Sequence, residues 1–164
     1  MKIIIDSGIL MNLNYLPEIV GEIYTSNSAV SELKSQISKN IFNMFKSQNK
    51  LTIVDPEGKE RKIVINTINK IGQLSLSDPD IDILAIALKL NEIENVLIYS
   101  DDYGLRNVAH QLKLQSTGVK TTGGDTLRKF KYICKACSAS YNQKIDECNV
   151  CGHTNFLRRR RRNK

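Results

Sequence analysis

The sequence has no apolar run long enough to cross a bilayer: the longest covers residues 83–88, against the roughly 20 residues a spanning helix requires. Its opening, MKIIID, meets an acid at residue 6, so no secretory leader is expected and the default is a soluble, cytoplasmic protein. Cysteine is missing from residues 1–133 and then occurs four times within residues 134–151. That distribution argues for reduced thiols around a metal and against a disulfide framework. No Ser–His or Cys–His pair suggests a side-chain nucleophile. His110 lies in a helical pattern and reads as a packing or surface residue, and His153 reads as a surface residue rather than an extra ligand. The body also lacks net charge. Of the formal +7, residues 158–162 and Lys164 carry six, which leaves +1 for residues 1–157.

What the chain does contain is a repeated arrangement of strand, acid and helix. Val96-Leu97-Ile98-Tyr99 has the character of a buried parallel strand; it stops on Ser100, Asp101 and Asp102, and helical periodicity starts directly afterwards. Lys2-Ile3-Ile4-Ile5 is a second such run, ending on Asp6 before a short helical segment around Ile9 and Leu13. In open parallel α/β sheets, ligands sit in the crevice outside the carboxyl ends of the strands. If these strands are neighbours, their acids lie side by side, which is costly unless a cation or a proton relieves them. Asp6, Asp101 and Asp102 are therefore candidate metal ligands, with an N-cap as the plainer reading of Asp6.

Residues 28–49 read as one helix, with Val30, Leu33, Ile37 and Ile41 as its apolar stripe and Met44 and Phe45 extending it. Glu32 projects about 150° from the stripe, a position that periodicity assigns to solvent. Residues 51–54 suggest a strand, and Pro56-Glu57-Gly58 a turn. Residues 61–72 mix β-branched side chains with the helical spacing of Val64, Ile68 and Ile71, and are expected to begin strand-like and finish as helix. Ser77-Asp78-Pro79-Asp80 opens another helix: Ser77 and Asp80 have capping-box spacing, although the box prefers Glu or Gln, and proline suits the first turn. Capping and dipole compensation explain one or two of Asp78, Asp80 and Asp82 better than all three. Leu105, Val108, Ala109 and Leu112 mark a further helix, and a brief last strand is expected near Val119. Strands alternating with helices predict a three-layer α/β domain with a mostly parallel sheet over residues 1–127.

Cys134-Lys-Ala-Cys137 and Cys148-Asn-Val-Cys151 are two C-x-x-C knuckles. Four thiolates suit one tetrahedral zinc, and a closed ligand set makes it structural rather than catalytic; an iron–sulfur centre or a redox pair is the lesser alternative. So short a module buries little core, and the metal is expected to supply most of its folding energy. This small zinc ribbon is expected over residues 128–157, followed by a flexible basic tail at 158–164. A zinc on four thiolates adds about −2, lowering the total charge to roughly +5. Arg158, Arg159, Arg160, Arg161 and Arg162 have no aromatic residue among them and would act on phosphates through charge. Arg128, Lys129, Lys131, Lys135 and Lys144 surround the ribbon and strengthen the expectation of a nucleic-acid partner.

Together these residues resemble a known family. Acids at Asp6, Asp80 and Asp101/Asp102 in an α/β domain resemble a PIN-domain nuclease, and a four-cysteine ribbon after such a domain resembles the Nob-one endonucleases of small-subunit ribosomal RNA maturation. The segment from Leu74-Ser75 to Leu90, with Asp80-Ile-Asp-Ile-Leu-Ala-Ile-Ala-Leu, is similar to that family's serine-aspartate-leucine-alanine helix. Ser100-Asp101-Asp102-Tyr103-Gly104-Leu105-Arg106-Asn107-Val108-Ala109 is similar to its threonine-aspartate-aspartate-tyrosine segment, with Ser100 for the usual threonine and Arg106 for the usual glutamine.

The resemblance implies that Asp6, Glu32, Asp80 and one or both of Asp101 and Asp102 ligate Mg²⁺ or Mn²⁺. It assigns Glu32 to the family's acid on the second helix and leaves Asp78 and Asp82 as capping or surface groups. The implied activity is that of a metal-dependent endoribonuclease maturing the 3′ end of small-subunit ribosomal RNA, with precursor RNA and the pre-ribosomal small subunit as partners. Cleavage would leave a 5′-phosphate and a 3′-hydroxyl. Two rival readings are a non-catalytic RNA-binding ribosome-assembly module and a toxin-like or general PIN ribonuclease, although the latter usually lacks the ribbon.

Overall fold

A computed structural model describes residues 1–11, 21–73, 76–119 and 128–161. Its larger sheet contains β1 (Lys2–Ile5), β2 (Glu22–Thr25), β3 (Leu51–Ile53), β4 (Val96–Tyr99) and β5 (Gln115–Thr117), all parallel, in the order β3-β2-β1-β4-β5. The chain steps outward from β1 through β2 and β3, then returns to the other side of β1 for β4 and β5. The reversal therefore falls between β1 and β4, whose ends are paired at Ile5 and Tyr99. Connections leaving in opposite directions open a crevice there, at the carboxyl ends.

Helices α1 (Ser7–Leu10), α2 (Asn27–Ser31), α3 (Gln36–Ser47), α4 (Gly58–Ile71), α5 (Asp78–Asn91) and α6 (Tyr103–Gln111) complete this domain. On one side of the sheet Val64, Ile68, Leu84, Ile86, Leu105 and Val108 pack against Ile4 and Ile98. On the other, Ile9, Leu10, Leu33 and Phe42 meet Ile3, Ile5, Ile23 and Leu51. Successive β1 isoleucines thus feed opposite layers, as the two-residue strand period requires. This is the expected three-layer arrangement. No described helix is long and apolar enough to cross a membrane.

Several local expectations need correction. The helix expected over residues 28–49 is two helices, because Ser35 opens α3 by accepting a 3.0 Å hydrogen bond from the Ser38 amide. The restart changes the helical phase, so Ile37 is 71% exposed and Phe42 is buried. Residues 61–72 contain no strand-like opening. Residues 61–71 belong to α4, whose Val64, Ile68 and Ile71 bury one face, and that burial outweighs the β-branched preference. The last strand of the sheet ends at Thr117, ahead of Val119. Leu13 lies outside the described residues. Asp82 is not a surface group: it is buried, paired with Arg61 of α4 and bonded at 2.5 Å by the Ser28 hydroxyl of α2. Asp78 is exposed and shares the same arginine at 2.9 Å.

The second sheet is antiparallel, with β6 (Phe130–Cys134) between β7 (Ser140–Tyr141) and β8 (Phe156–Arg160). β8 runs opposite β6 from the Cys134–Phe156 pair to the Phe130–Arg160 pair. Arg158, Arg159 and Arg160, expected in a flexible tail, are therefore ladder residues. Arg161 follows them, its backbone amide donating to Lys129 O at 2.7 Å and its Nε to Phe130 O at 3.1 Å. The reason is backbone pairing, to which side-chain charge is nearly indifferent when alternate residues point to opposite faces. Arg162 lies outside the described residues.

The ribbon docks on α4 and α6. Asn107 clamps the Arg128 backbone in both directions, donating to its carbonyl at 2.9 Å and accepting from its amide at 2.8 Å. Tyr132 donates its hydroxyl to Gly72 O at 3.2 Å. Gly72 ends α4 at φ 65°, and a Cβ there would lie 2.7 Å from Phe130 O and 2.9 Å from Asn142 O. Gly72→Ala is expected to destabilise the protein by about 2 kcal/mol, since left-handed strain and a backbone clash combine. The check is a lowered denaturant midpoint at unchanged slope.

Candidate active site and thiol cluster

Asp6 follows β1 and is 5% exposed. It caps α1, accepting from the Ile9 amide at 2.7 Å, so capping and a place in the crevice coexist. The Ser100 hydroxyl bonds its carboxylate and also accepts from the Asp102 amide at 3.0 Å. Burial pushes the Asp6 pKa up to about 6; the bonds from Ser100 and Ile9 oppose this, and the charges of Asp80 and Asp102 add to it.

Asp80 is also raised, by burial first, against the Ser77 hydrogen bonds, and then by the charges of Asp102 and Glu32. Each acid has a local cause for its position. Asp80 sits third in α5 and completes the capping box: its Oδ2 accepts from the Ser77 hydroxyl at 2.6 Å and the Ser77 amide at 3.1 Å. Asp102 caps α6 through a 2.8 Å bond from the Leu105 amide. Glu32 is the C-cap of α2 and is half-buried. Electrostatic coupling therefore joins Asp6, Glu32, Asp80 and Asp102 into one region.

Asp101 has a different environment. Its carboxylate accepts from the Val119 amide at 2.9 Å, joining the end of β4 to the chain beyond β5. In the sequence Ser100 marked the end of a strand and a departure from a motif, with no role assigned to it. Fully buried, it links the acids of two adjacent strands; the available signal was a hydroxyl directly between a strand and a pair of acids. The carboxylates are hard oxygen donors that suit Mg²⁺ or Mn²⁺. They are spread more widely than the cysteines: among the described residues, only the four thiol sulfurs gather within 4.8 Å of one another.

Those sulfurs lie in two similar knuckles. The Cys134 amide donates to Ala139 O at 2.9 Å and the Ser138 amide to Cys134 O at 3.0 Å; the Cys148 and Gly152 amides repeat this with His153 O and Cys148 O at 2.9 and 2.8 Å. The fifth residue of each turn is left-handed, Ser138 at φ 63° and Gly152 at φ 71°. Cys134 and Cys151 are 3.6 Å apart at sulfur, and Cys137 and Cys148 3.5 Å. Disulfide sulfurs stand at about 2.05 Å, whereas a tetrahedron with 2.3 Å metal–thiolate bonds has edges of about 3.8 Å. The spacing fits one shared metal. The Tyr141 hydroxyl and the Cys148 sulfur are hydrogen-bonded across 3.1 Å, the main reason that thiol falls to about 6, which favours the ligating thiolate. His153 stands outside the four-sulfur group.

The basic residues divide by environment. Lys131 and Arg159 are cross-strand partners on the outer ribbon face, beside the Ile133–Leu157 pair, and Arg159 and Lys135 border an open hollow of about 640 Å³. Arg158 stacks on Phe130 at 3.5 Å, and Arg128 on Tyr103 at 4.2 Å. Lys144 borders a separate cleft beside α4.

The family model for the PIN domain of ribonuclease matches residues 3–90. The chain is 33% identical to Endoribonuclease Nob1 of Methanocaldococcus jannaschii, over 93% of this chain and 74% of that one. It is 28% identical to Endoribonuclease Nob1 of Methanothermobacter thermautotrophicus, over 99% and 95% respectively. Ribonuclease VapC1 of Thermoplasma acidophilum is 27% identical, over 93% and 76%.

Proposed function

Because the chain belongs to the PIN-domain ribonucleases and is a Nob1-type endoribonuclease, we propose that it uses a divalent metal to cut one phosphodiester at the 3′ end of small-subunit ribosomal RNA. The reading is supported chiefly by acids from separate segments: Asp6 and Asp102 follow the adjacent strands β1 and β4, the charges of Asp80 and Asp102 act on Asp6, and those of Asp102 and Glu32 act on Asp80. These four would hold Mg²⁺ or Mn²⁺, and the bound ion would supply a water acidic enough to attack near neutral pH and would stabilise charge on the phosphoryl oxygens. Ser100 keeps Asp6 and Asp102 in mutual register, and Ser77 keeps Asp80 aimed from the start of α5. Asp101 serves the site indirectly, by holding the Val119 backbone.

Cys134, Cys137, Cys148 and Cys151 would hold a structural zinc. An acidic crevice repels phosphate, so attraction must come from elsewhere. Lys131, Lys135 and Arg159 on the outer ribbon face are the foremost grip, with Arg128, Lys129, Lys144, Arg158 and residues 160–162 adding positive charge. The setting is the cytoplasmic precursor of the small ribosomal subunit. The similarity to Ribonuclease VapC1 supports a second reading with a broader choice of RNA.

Single-turnover incubation with Mn²⁺ of an RNA spanning the 3′ boundary of small-subunit ribosomal RNA is expected to give one cut. Its products should carry a 5′-phosphate and a 3′-hydroxyl, and omitting divalent ions should prevent it. Cuts scattered through the RNA would favour the broader reading. Intact RNA that still binds would overturn both.

A further inference from the structure

We propose that the cleft between α4, the start of α5 and the ribbon holds one unpaired nucleobase of the substrate strand, beside the cutting site; the inference rests on the nuclease reading and extends it to substrate selection. The cleft has a volume of about 300 Å³, at the lower end of the range for small-ligand pockets. Its walls are aliphatic, built from Ile65 and Ile68 of α4 together with Leu76 and Ile81. Flat apolar-faced groups such as bases are held between walls of this kind when drawn out of a helix.

Position connects the cleft to the chemistry. Leu76 and Ile81 bracket the Ser77–Asp80 capping box, so the wall that would touch a base belongs to the same turn that carries a carboxylate. A strand with its phosphate at the crevice passes this turn within a nucleotide or two.

Polar groups supply recognition. Asn69 and Gln73 contribute amides to the lining, and amides carry both donors and acceptors, which suits the edges of bases. Gln73 is oriented beforehand: its Oε1 accepts from Asn107 at 3.1 Å, and Asn107 also clamps the first ribbon residues through Arg128. Lys144 reaches the cleft from the ribbon and brings a cation to a site otherwise lined by neutral groups, as a strand with one phosphate per nucleotide requires. The close approach at Gly72 brings these two sides together.

The test is an abasic scan. RNAs lacking the base at one position at a time around the cut are compared with intact RNA, for binding without divalent ions and for single-turnover cleavage with Mn²⁺. Wild-type protein is expected to bind one of these RNAs about 10-fold more weakly than intact RNA, the scale of a lost base contact. Ile65→Trp fills the cleft from a position 40% exposed; it should weaken intact RNA by a similar factor, with no further loss for that abasic RNA. Asn69→Ala should alter the preference among the four bases at that one position, which damage to folding alone would not do. Indifference of wild type to every abasic position, or an undiminished abasic penalty in Ile65→Trp, overturns the pocket. Cleavage without an abasic effect would leave the nuclease reading standing without the pocket. The binding pattern without cleavage would leave the pocket and remove the nuclease.

Discussion

Asp6→Asn is expected to yield a protein that is more stable than the wild type and close to inactive. The amide still caps α1, since asparagine and aspartate serve almost equally as N-caps, and it fits the same space. What changes is charge. The folded-state pKa of Asp6 is raised from 3.8 to about 6, first by burial, with Asp80 and Asp102 adding to it. Between those values the folded chain keeps a proton that the unfolded chain has released. Relative to the unfolded chain, the contribution of Asp6 is neutral below the lower value, grows unfavourable as pH rises between the two, and is complete above the upper one. Above it, the buried carboxylate costs about 3 kcal/mol. Thermal melts without divalent ions at pH 7.5 should therefore favour Asp6→Asn by several degrees, and the gap should narrow as pH falls toward 4. Mn²⁺ should raise the wild-type midpoint and leave the variant almost unchanged, because only a ligand bound to the folded state stabilises it. Cleavage should fall at least about 100-fold, as expected when a metal site loses a charged ligand. A variant less stable than wild type at every pH would show that burial and the neighbouring acids do not raise the Asp6 pKa in the folded protein.

Cys148→Ser should unfold the ribbon and spare the parallel sheet. The two parts differ in what holds them. The larger sheet has an apolar layer on each face, while the described ribbon buries little beyond Tyr132, Cys134 and Cys148. A structural zinc contributes roughly 10–16 kcal/mol to small modules of this type, far more than such a core supplies. Amide exchange should become fast throughout β6, β7 and β8 and remain slow in β1 and β4. Because β8 carries Arg158, Arg159 and Arg160, RNA affinity should drop and its dependence on salt should flatten. Slow ribbon exchange in Cys148→Ser would refute the metal's role in folding.

The chain's chemistry was legible wherever it depends on local spacing. A buried strand followed by an acid marked Asp6 and the Asp101–Asp102 pair as candidates, a capping signal put Asp80 at a helix start while the family resemblance singled it out from Asp78 and Asp82, and the two knuckles marked the thiols. Legibility ended where a residue's role depends on a distant partner. Asp82 looked like one acid too many at a helix start, and only the arrival of Arg61 from α4 and Ser28 from α2 accounts for its burial. Glu32 looked solvated because a helical projection cannot show that the acid at the start of α5 faces it. The arginine run looked mobile because its charge conceals a strand whose partner lies 26 to 30 residues earlier.

By itself the sequence determined which atoms are available: hard oxygens at the ends of two strands and a helix, soft sulfurs in two turns, and a basic C-terminal stretch. These are consequences of periodicity, capping and ligand spacing, all fixed within a few residues. The tertiary structure decided which of those atoms meet. Strand order placed β4 next to β1, and pairing of the chain beyond β5 drew Asp101 to the Val119 amide while Asp102 joined Asp6 and Asp80. Two adjacent aspartates are chemically equivalent until the backbone aims them, and that aim is set by contacts far away along the chain.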